Sequence, residues 1–259
     1  MQPHERLAAA IEARAPETAI VAYITAGYPD RERFGEHLLA AADAADVLEI
    51  GVPFTDPMAD GLTIQRASQG ALAAGVTLRW IFDEIGRLPR EPGSPLVLMS
   101  YLNPLLAFGY ERLARCAAEV GVAGFIVPDL PLDECGELDA ALAGQGLALI
   151  QLVTPVTRNE RLAASCRASR GFVYAVTVAG ITGGQVDGGG IAEYLDRVSA
   201  LSDVPVCAGF GVRSPQQVAA LGRHVPGVVV GSALVEALER GEDPAGFIRG
   251  LRGETAPAA

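Results

Sequence analysis

Short apolar runs alternate with longer amphipathic segments eight times along this chain, and that alternation constrains the fold more than any other feature. The runs are 18–25, 46–50, 96–101, 124–127, 147–153, 172–176, 205–208 and 228–230. Each is too short for a helix and has little of the polar alternation of a half-exposed strand. Continuous apolar strands of this kind belong in a parallel sheet covered on both faces. The segments between them carry apolar residues at helical spacing, as at Phe34, Leu38 and Ala41. Gly75 is placed to end one helix, while Thr77 and Ser214 are placed to cap two others. Eight strand–helix units in 259 residues predict a closed (β/α)8 barrel, the TIM-barrel class of α/β fold. An open doubly wound sheet would carry a G-x-G-x-x-G after its first strand, which Thr25-Ala26-Gly27 does not supply. A leading helix, 4–15, is added within residues 1–17, and 253–259 is expected to fray. No linker interrupts the alternation, so residues 1–259 are expected to form a single domain.

Composition removes several classes of function. The net charge is −11 and no basic run occurs, which argues against nucleic acid and against an anionic membrane surface. No apolar run reaches membrane-spanning length, and the first residues lack a signal pattern, so a cytoplasmic protein is expected. Cys116, Cys135, Cys166 and Cys207 are scattered and fit reduced core or helix positions. His4, His37 and His224 fall on expected helices far apart, a poor basis for a metal site. All 20 basic residues are arginine. A chain without lysine cannot form a Schiff base or carry covalently attached pyridoxal phosphate.

The chemistry concentrates in Leu48-Glu49-Ile50-Gly51-Val52-Pro53-Phe54-Thr55-Asp56-Pro57-Met58-Ala59-Asp60-Gly61. It starts as a strand, with Val47 and Glu49 on one face and Leu48 and Ile50 on the other. A carboxyl among Val, Leu and Ile should have a raised pKa, which suits a general acid–base group. Asp60, on the more polar loop, should ionise more readily, so the two acids can divide the acid and base roles. The alternative is that Glu49 pairs with a buried arginine and Asp60 caps the next helix.

In a barrel of this class the site lies at the C-terminal ends of the strands. Glu49, Asp60, Tyr101 and Tyr174 fall there, as do Gly180-Ile181-Thr182-Gly183-Gly184, Gly209-Phe210-Gly211 and Gly231-Ser232. One such glycine turn is explained by a tight strand–helix connection. Three on adjacent strands point to a phosphate held by backbone N–H groups and helix dipoles. No arginine is obvious in those turns. Tyr23, Met99, Tyr101, Phe125 and Ile126 are candidates for apolar walls, although most of them, Phe125 above all, fit plain core equally well.

The stretch 48–61 closely resembles the signature of the tryptophan synthase alpha chain family. So do Tyr101-Leu102-Asn103-Pro104, Ile126-Val127-Pro128-Asp129-Leu130-Pro131, Gly180-Ile181-Thr182-Gly183, Gly209-Phe210-Gly211 and Gly231-Ser232, in order along the chain. The resemblance implies a lyase that cleaves indole-3-glycerol phosphate to indole and glyceraldehyde 3-phosphate. It implies Glu49 as the proton donor to the indole ring carbon and Asp60 as the carboxylate facing the indole N–H, with Tyr174 and Thr182 nearby. Tyr23, Met99, Tyr101, Ile126 and Pro128 complete the expected substrate side, and Gly183, Phe210, Gly211, Gly231 and Ser232 the phosphate side. It also implies a beta-chain partner that carries pyridoxal phosphate, in an alpha2-beta2 assembly, with none in this chain. Two departures stand out: Leu62 replaces the proline usual after Asp-Gly, and Gly188-Gly189-Gly190 loosens the expected loop after strand six.

Three other readings compete. One is a sugar-phosphate isomerase or epimerase, which would need a metal, His or Lys beside the carboxylate. Another is a catalytically silent activator of a beta chain. The last is a lyase that releases indole without a partner. The Asp56-Pro57 and Asn103-Pro104 turns favour a partner by resemblance, docked on a face that includes Leu102, Leu105 and Leu106.

Overall fold

The computed structural model describes residues 1–177, 188–209 and 211–254. Its eight strands are β1 (Ala19–Thr25), β2 (Val47–Gly51), β3 (Leu96–Met99), β4 (Val122–Ile126), β5 (Ala148–Val153), β6 (Val173–Val176), β7 (Val206–Gly209) and β8 (Gly227–Val230). They pair in parallel in sequence order, and β8 returns to β1, which closes the barrel.

The helices are α1 (Pro3–Glu12), α2 (Phe34–Ala44), α3 (Leu62–Ala73), α4 (Leu78–Gly86), α5 (Leu102–Phe108), α6 (Tyr110–Glu119), α7 (Gly136–Ala143), α8 (Asn159–Ala168), α9 (Gly188–Leu201), α10 (Pro215–Leu221), α11 (Ser232–Glu239) and α12 (Pro244–Leu251). A single 3-10 turn, Leu132–Glu134, precedes α7.

Strand parity sorts the core into two layers. Ile20, Leu48, Ile50, Leu98 and Phe125 face outward and pack under the helices. Val21, Val47, Val97, Ile126, Ile150, Tyr174 and Cys207 fill the barrel interior. Phe125 is therefore core. Leu7 and Ile11 of α1 join the interior cluster, so the leading helix plugs the N-terminal end of the barrel. That helix is shorter than the expected 4–15, with Ala13 as its C-cap.

Gly75 ends α3 as expected. At φ 78° it donates to Leu72 O, while Val76 N donates to Ala71 O, the paired bonds of a Schellman motif. Thr77 and Ser214 cap α4 and α10 through their side chains, as expected.

Four expectations change. The residues after β3 form α5, not a loop. Pro104 occupies its first turn, where a missing N–H costs nothing, and Gly109 at φ 87° ends it. Leu105 is fully buried and so is not part of an exposed docking patch, whereas Leu106 is 57% exposed. Gly188-Gly189-Gly190 opens α9 instead of extending the preceding loop. His224 lies in the turn after α10, not on a helix.

Candidate active site

Tyr23 and Glu49 are direct register partners on β1 and β2, and both side chains point into the C-terminal mouth of the barrel. The ring of Tyr23 has room only because Gly51 follows on β2: a Cβ there would fall on the phenol. Gly209 does the same for Tyr174, whose Oη would lie 2.7 Å from an added Cβ. The two glycines thus let two large phenols share a narrow mouth.

Glu49 is 1% exposed, and its Oε2 has no hydrogen-bond partner among the described residues. No arginine pairs with it among the described residues, which removes the ion-pair alternative. Burial pushes its carboxyl up to about 8, and the charge of Asp60 adds to the rise. The group is therefore held as a neutral acid near pH 7.

Asp60 does not cap α3, whose N-cap is Gly61. Its Oδ2 instead accepts a 3.1 Å hydrogen bond from the Tyr101 hydroxyl. Burial pushes Asp60 up to about 6, and that hydrogen bond opposes the rise. Asp60 thus ionises at lower pH than Glu49, as expected, although it too lies above the ordinary carboxylate range. Tyr101 follows β3 as the N-cap of α5 instead of ending the strand. The phenols of Tyr23 and Tyr174 are raised well above their usual range, mainly by burial and then by the neighbouring acids, and stay protonated as donors.

These groups surround a cavity of about 190 Å³ lined by Tyr23, Glu49, Asp60, Gly61, Ile64, Met99, Tyr174, Gly211, Arg213, Val229, Gly231 and Ser232. Expected acid, wall and glycine-turn residues thus meet in one space. Gly211 adopts φ 79°, and Ser232 opens α11, so backbone N–H groups and a helix N-terminus are available at one end.

Three expected residues do not line this cavity, and the first of them, Tyr101, reaches it only through its hydrogen bond to Asp60. Ile126 is fully buried inside the barrel, and Pro128 lines a separate cavity with Asp129, Leu149 and Arg161. Pro128 is diverted because the chain turns outward there, where Asp129 Oδ1 accepts from Leu102 N at the start of α5. Thr182, Gly183 and Phe210 lie outside the described residues.

Ile64 and Arg213 are additions that the sequence reading missed. Arg213 overturns the view that the glycine turns lack a basic residue. The available signal was an arginine two positions beyond Gly211, before the Ser214-Pro215 helix start.

A parallel barrel with a protonated acid and an ionisable partner at its C-terminal mouth is a (β/α)8-barrel enzyme of the acid–base type. The sequence model described as "Tryptophan synthase alpha chain" matches residues 9–249. The tryptophan synthase alpha chain of Solidesulfovibrio magneticus is 46% identical over 237 residues, covering 91% of this chain and 93% of that one. The alpha chain of Roseiflexus castenholzii is 43% identical over 249 residues, covering 92% and 95%. The structure of Mycobacterium tuberculosis tryptophan synthase superposes with a TM-score of 0.88 at 37% identity, covering 98% of this chain and 99% of that chain. The chain belongs to the tryptophan synthase alpha chain family.

Proposed function

We propose that this chain cleaves indole-3-glycerol phosphate to indole and glyceraldehyde 3-phosphate, the lyase step of tryptophan biosynthesis. The observation that carries this reading is the pairing of Glu49, held protonated, with Asp60 in a cavity whose far end offers Gly211, Gly231 and Ser232.

Glu49 donates its proton to the indole ring carbon that bears the glycerol chain. That carbon becomes tetrahedral and the ring nitrogen becomes cationic. Asp60, ionised, accepts the indole N–H and stabilises the positive charge. The carboxylate left on Glu49 then takes the proton from the adjacent side-chain hydroxyl. The carbon–carbon bond breaks, its electrons restore the aromatic ring, and the hydroxyl carbon leaves as the aldehyde. Glu49 ends protonated, so the step balances without another reactant.

Tyr23, Met99, Ile64 and Tyr174 form the walls around the ring. Gly211, Gly231 and Ser232 receive the phosphate, together with Gly183 and Phe210 by family resemblance, and Thr182 belongs beside the acids on the same ground. Glyceraldehyde 3-phosphate carries its charge away, whereas indole is apolar and suits direct transfer to a second enzyme. The partner is a tryptophan synthase beta chain in an alpha2-beta2 assembly. Pyridoxal phosphate resides on that partner, because a chain with no lysine cannot bind it covalently. Met58, Leu62, Leu106 and Val156 are exposed large apolar residues on segments that follow β2, β3 and β5, toward the mouth where a partner would dock. A cytoplasmic location fits this role. Among the described residues no helix is long and apolar enough to cross a membrane.

The test is indole release from indole-3-glycerol phosphate, followed across a titration of beta chain. The isolated chain is expected to be slow and to be accelerated by the beta chain. Glu49→Gln is expected to lose ~10²–10⁴-fold in rate while keeping its fold. Near-normal turnover by that variant, or no indole from the unmodified protein in any mixture, would sink the assignment.

A further inference from the structure

Ionised Asp60 lines the cavity beside neutral Glu49, and the chain as a whole carries −11. A phosphate dianion entering that space meets repulsion that backbone N–H groups offset only in part. Among the described residues that line it, one is a cation: Arg213.

Its backbone is well fixed. Val212 beside it is buried in the core, and Arg213 N donates to Gln217 Oε1 at 2.7 Å. Its guanidinium forms a two-point pair with Glu236, Nη1 to Oε2 at 2.6 Å and Nη2 to Oε1 at 2.9 Å. Glu236 stands one turn beyond Ser232 on α11 and also accepts from Thr63 Oγ1 at 2.9 Å. Thr63 lies in the first turn of α3, three residues after Asp60. One carboxylate therefore connects the turn after β7, the helix after β8 and the segment that carries Asp60. An arginine fork has more donors than the two that Glu236 uses, and its planar geometry suits phosphate oxygens.

We propose that Arg213 is a phosphate-binding residue of this cavity and gives the enzyme its selectivity for phosphorylated over unphosphorylated substrate, with Glu236 as the positioning residue that holds it beside the site. The assignment rests on the phosphate reading above. Glu236 has two opposing relations to the ligand. It orients the guanidinium, and its own negative charge competes with phosphate for that guanidinium. The Arg213 and Thr63 hydrogen bonds hold Glu236 down at about 2, so it remains charged throughout the working pH range.

The test is calorimetric binding of inorganic phosphate and of glycerol 3-phosphate to the unmodified chain, Arg213→Gln, Glu236→Gln and Glu236→Ala, with kcat and KM for indole-3-glycerol phosphate. Loss of a charge-assisted contact should weaken glycerol 3-phosphate by roughly tenfold or more in Arg213→Gln, and raise KM by a larger factor than kcat falls. Glu236→Gln keeps an acceptor oxygen that can still orient the guanidinium and removes the competing charge, so it should bind both probes more tightly, whereas Glu236→Ala, which loses the positioning as well, should bind them less tightly than Glu236→Gln. Unmodified affinity in Arg213→Gln, or weaker binding in Glu236→Gln, overturns the assignment. If the unmodified protein binds neither probe, the underlying phosphate reading fails, and the assignment with it.

Discussion

The hydroxyl of Tyr101 donates to Asp60 at 3.1 Å and accepts from the backbone N–H of Ala59 at 2.8 Å. One phenol thus ties the start of α5 to the loop that carries the second acid. Phe54, from the same loop, stacks on the Tyr101 ring at 5.2 Å and limits its motion. Tyr101 therefore both positions Asp60 and opposes the rise that burial imposes on its pKa.

Tyr101→Phe keeps the ring and removes the hydrogen bond. That bond lowers the Asp60 pKa, so its loss should raise it further above about 6. The acid limb of the kcat/KM profile should move to higher pH, and activity at pH 6 should fall more than activity at pH 8. Unchanged limbs in a pH series on the variant would show that Tyr101 does not tune Asp60.

The unmodified enzyme should show a bell-shaped pH dependence. Asp60 must be ionised, so kcat/KM falls as pH drops below about 6. Glu49 must be protonated, so kcat/KM falls again as pH rises above about 8. A flat profile of indole formation from pH 5 to 9 would contradict this division of roles.

Glu49 also links stability to pH. Its carboxyl titrates near 4.5 in the unfolded chain and at about 8 in the folded one. Folding therefore favours the protonated form. The stability this contributes is complete below about 4.5 and is lost as pH rises toward about 8, at about 1.4 kcal/mol per unit. Glu49→Gln removes the ionisation. Its melting temperature relative to the unmodified protein should rise from pH 5 to about pH 8 and level off above that. A difference that stays constant, or shrinks, over that range would show that Glu49 is not held neutral.

Leu62 is 80% exposed at the first position of α3, a place that tolerates proline because its N–H has no partner within the helix. Gly61 before it is extended, at φ −74° and ψ 165°, as the residue preceding a proline must be. A proline at that position fits the helix start and reduces the freedom of the unfolded chain. Leu62→Pro should stabilise the protein by ~0.4–1 kcal/mol in denaturant unfolding. A destabilised variant would mean that the Leu62 side chain or its N–H makes a contact that matters.

The barrel was legible in the residues because its causes are local. Strand parity follows from a period of two, so Val47 and Glu49 had to face one way and Leu48 the other. The end of α3 at Gly75 and the caps at Thr77 and Ser214 depend on residues a few positions apart, and all three were readable. Helix α5 was not, because Pro104 and Asn103 read as a turn. The helix is held by distant parts of the chain: burial of Leu105 in the core and the Asp129 carboxylate at its N-terminus.

The acids Glu49 and Asp60 were identifiable from their chain neighbours, because an apolar strand implies burial wherever it packs. Their partners were not. Tyr101 reaches Asp60 across 41 positions, and Arg213 reaches Glu236 across 23, distances that closure of the barrel alone brings to hydrogen-bonding range. Ile126 and Pro128 show the same limit from the other side, since their motif says nothing about which space each side chain enters. Residue type and spacing dictate which groups can do acid–base chemistry. Which of them meet, and with what charge, depends on contacts between strands and helices far apart in sequence.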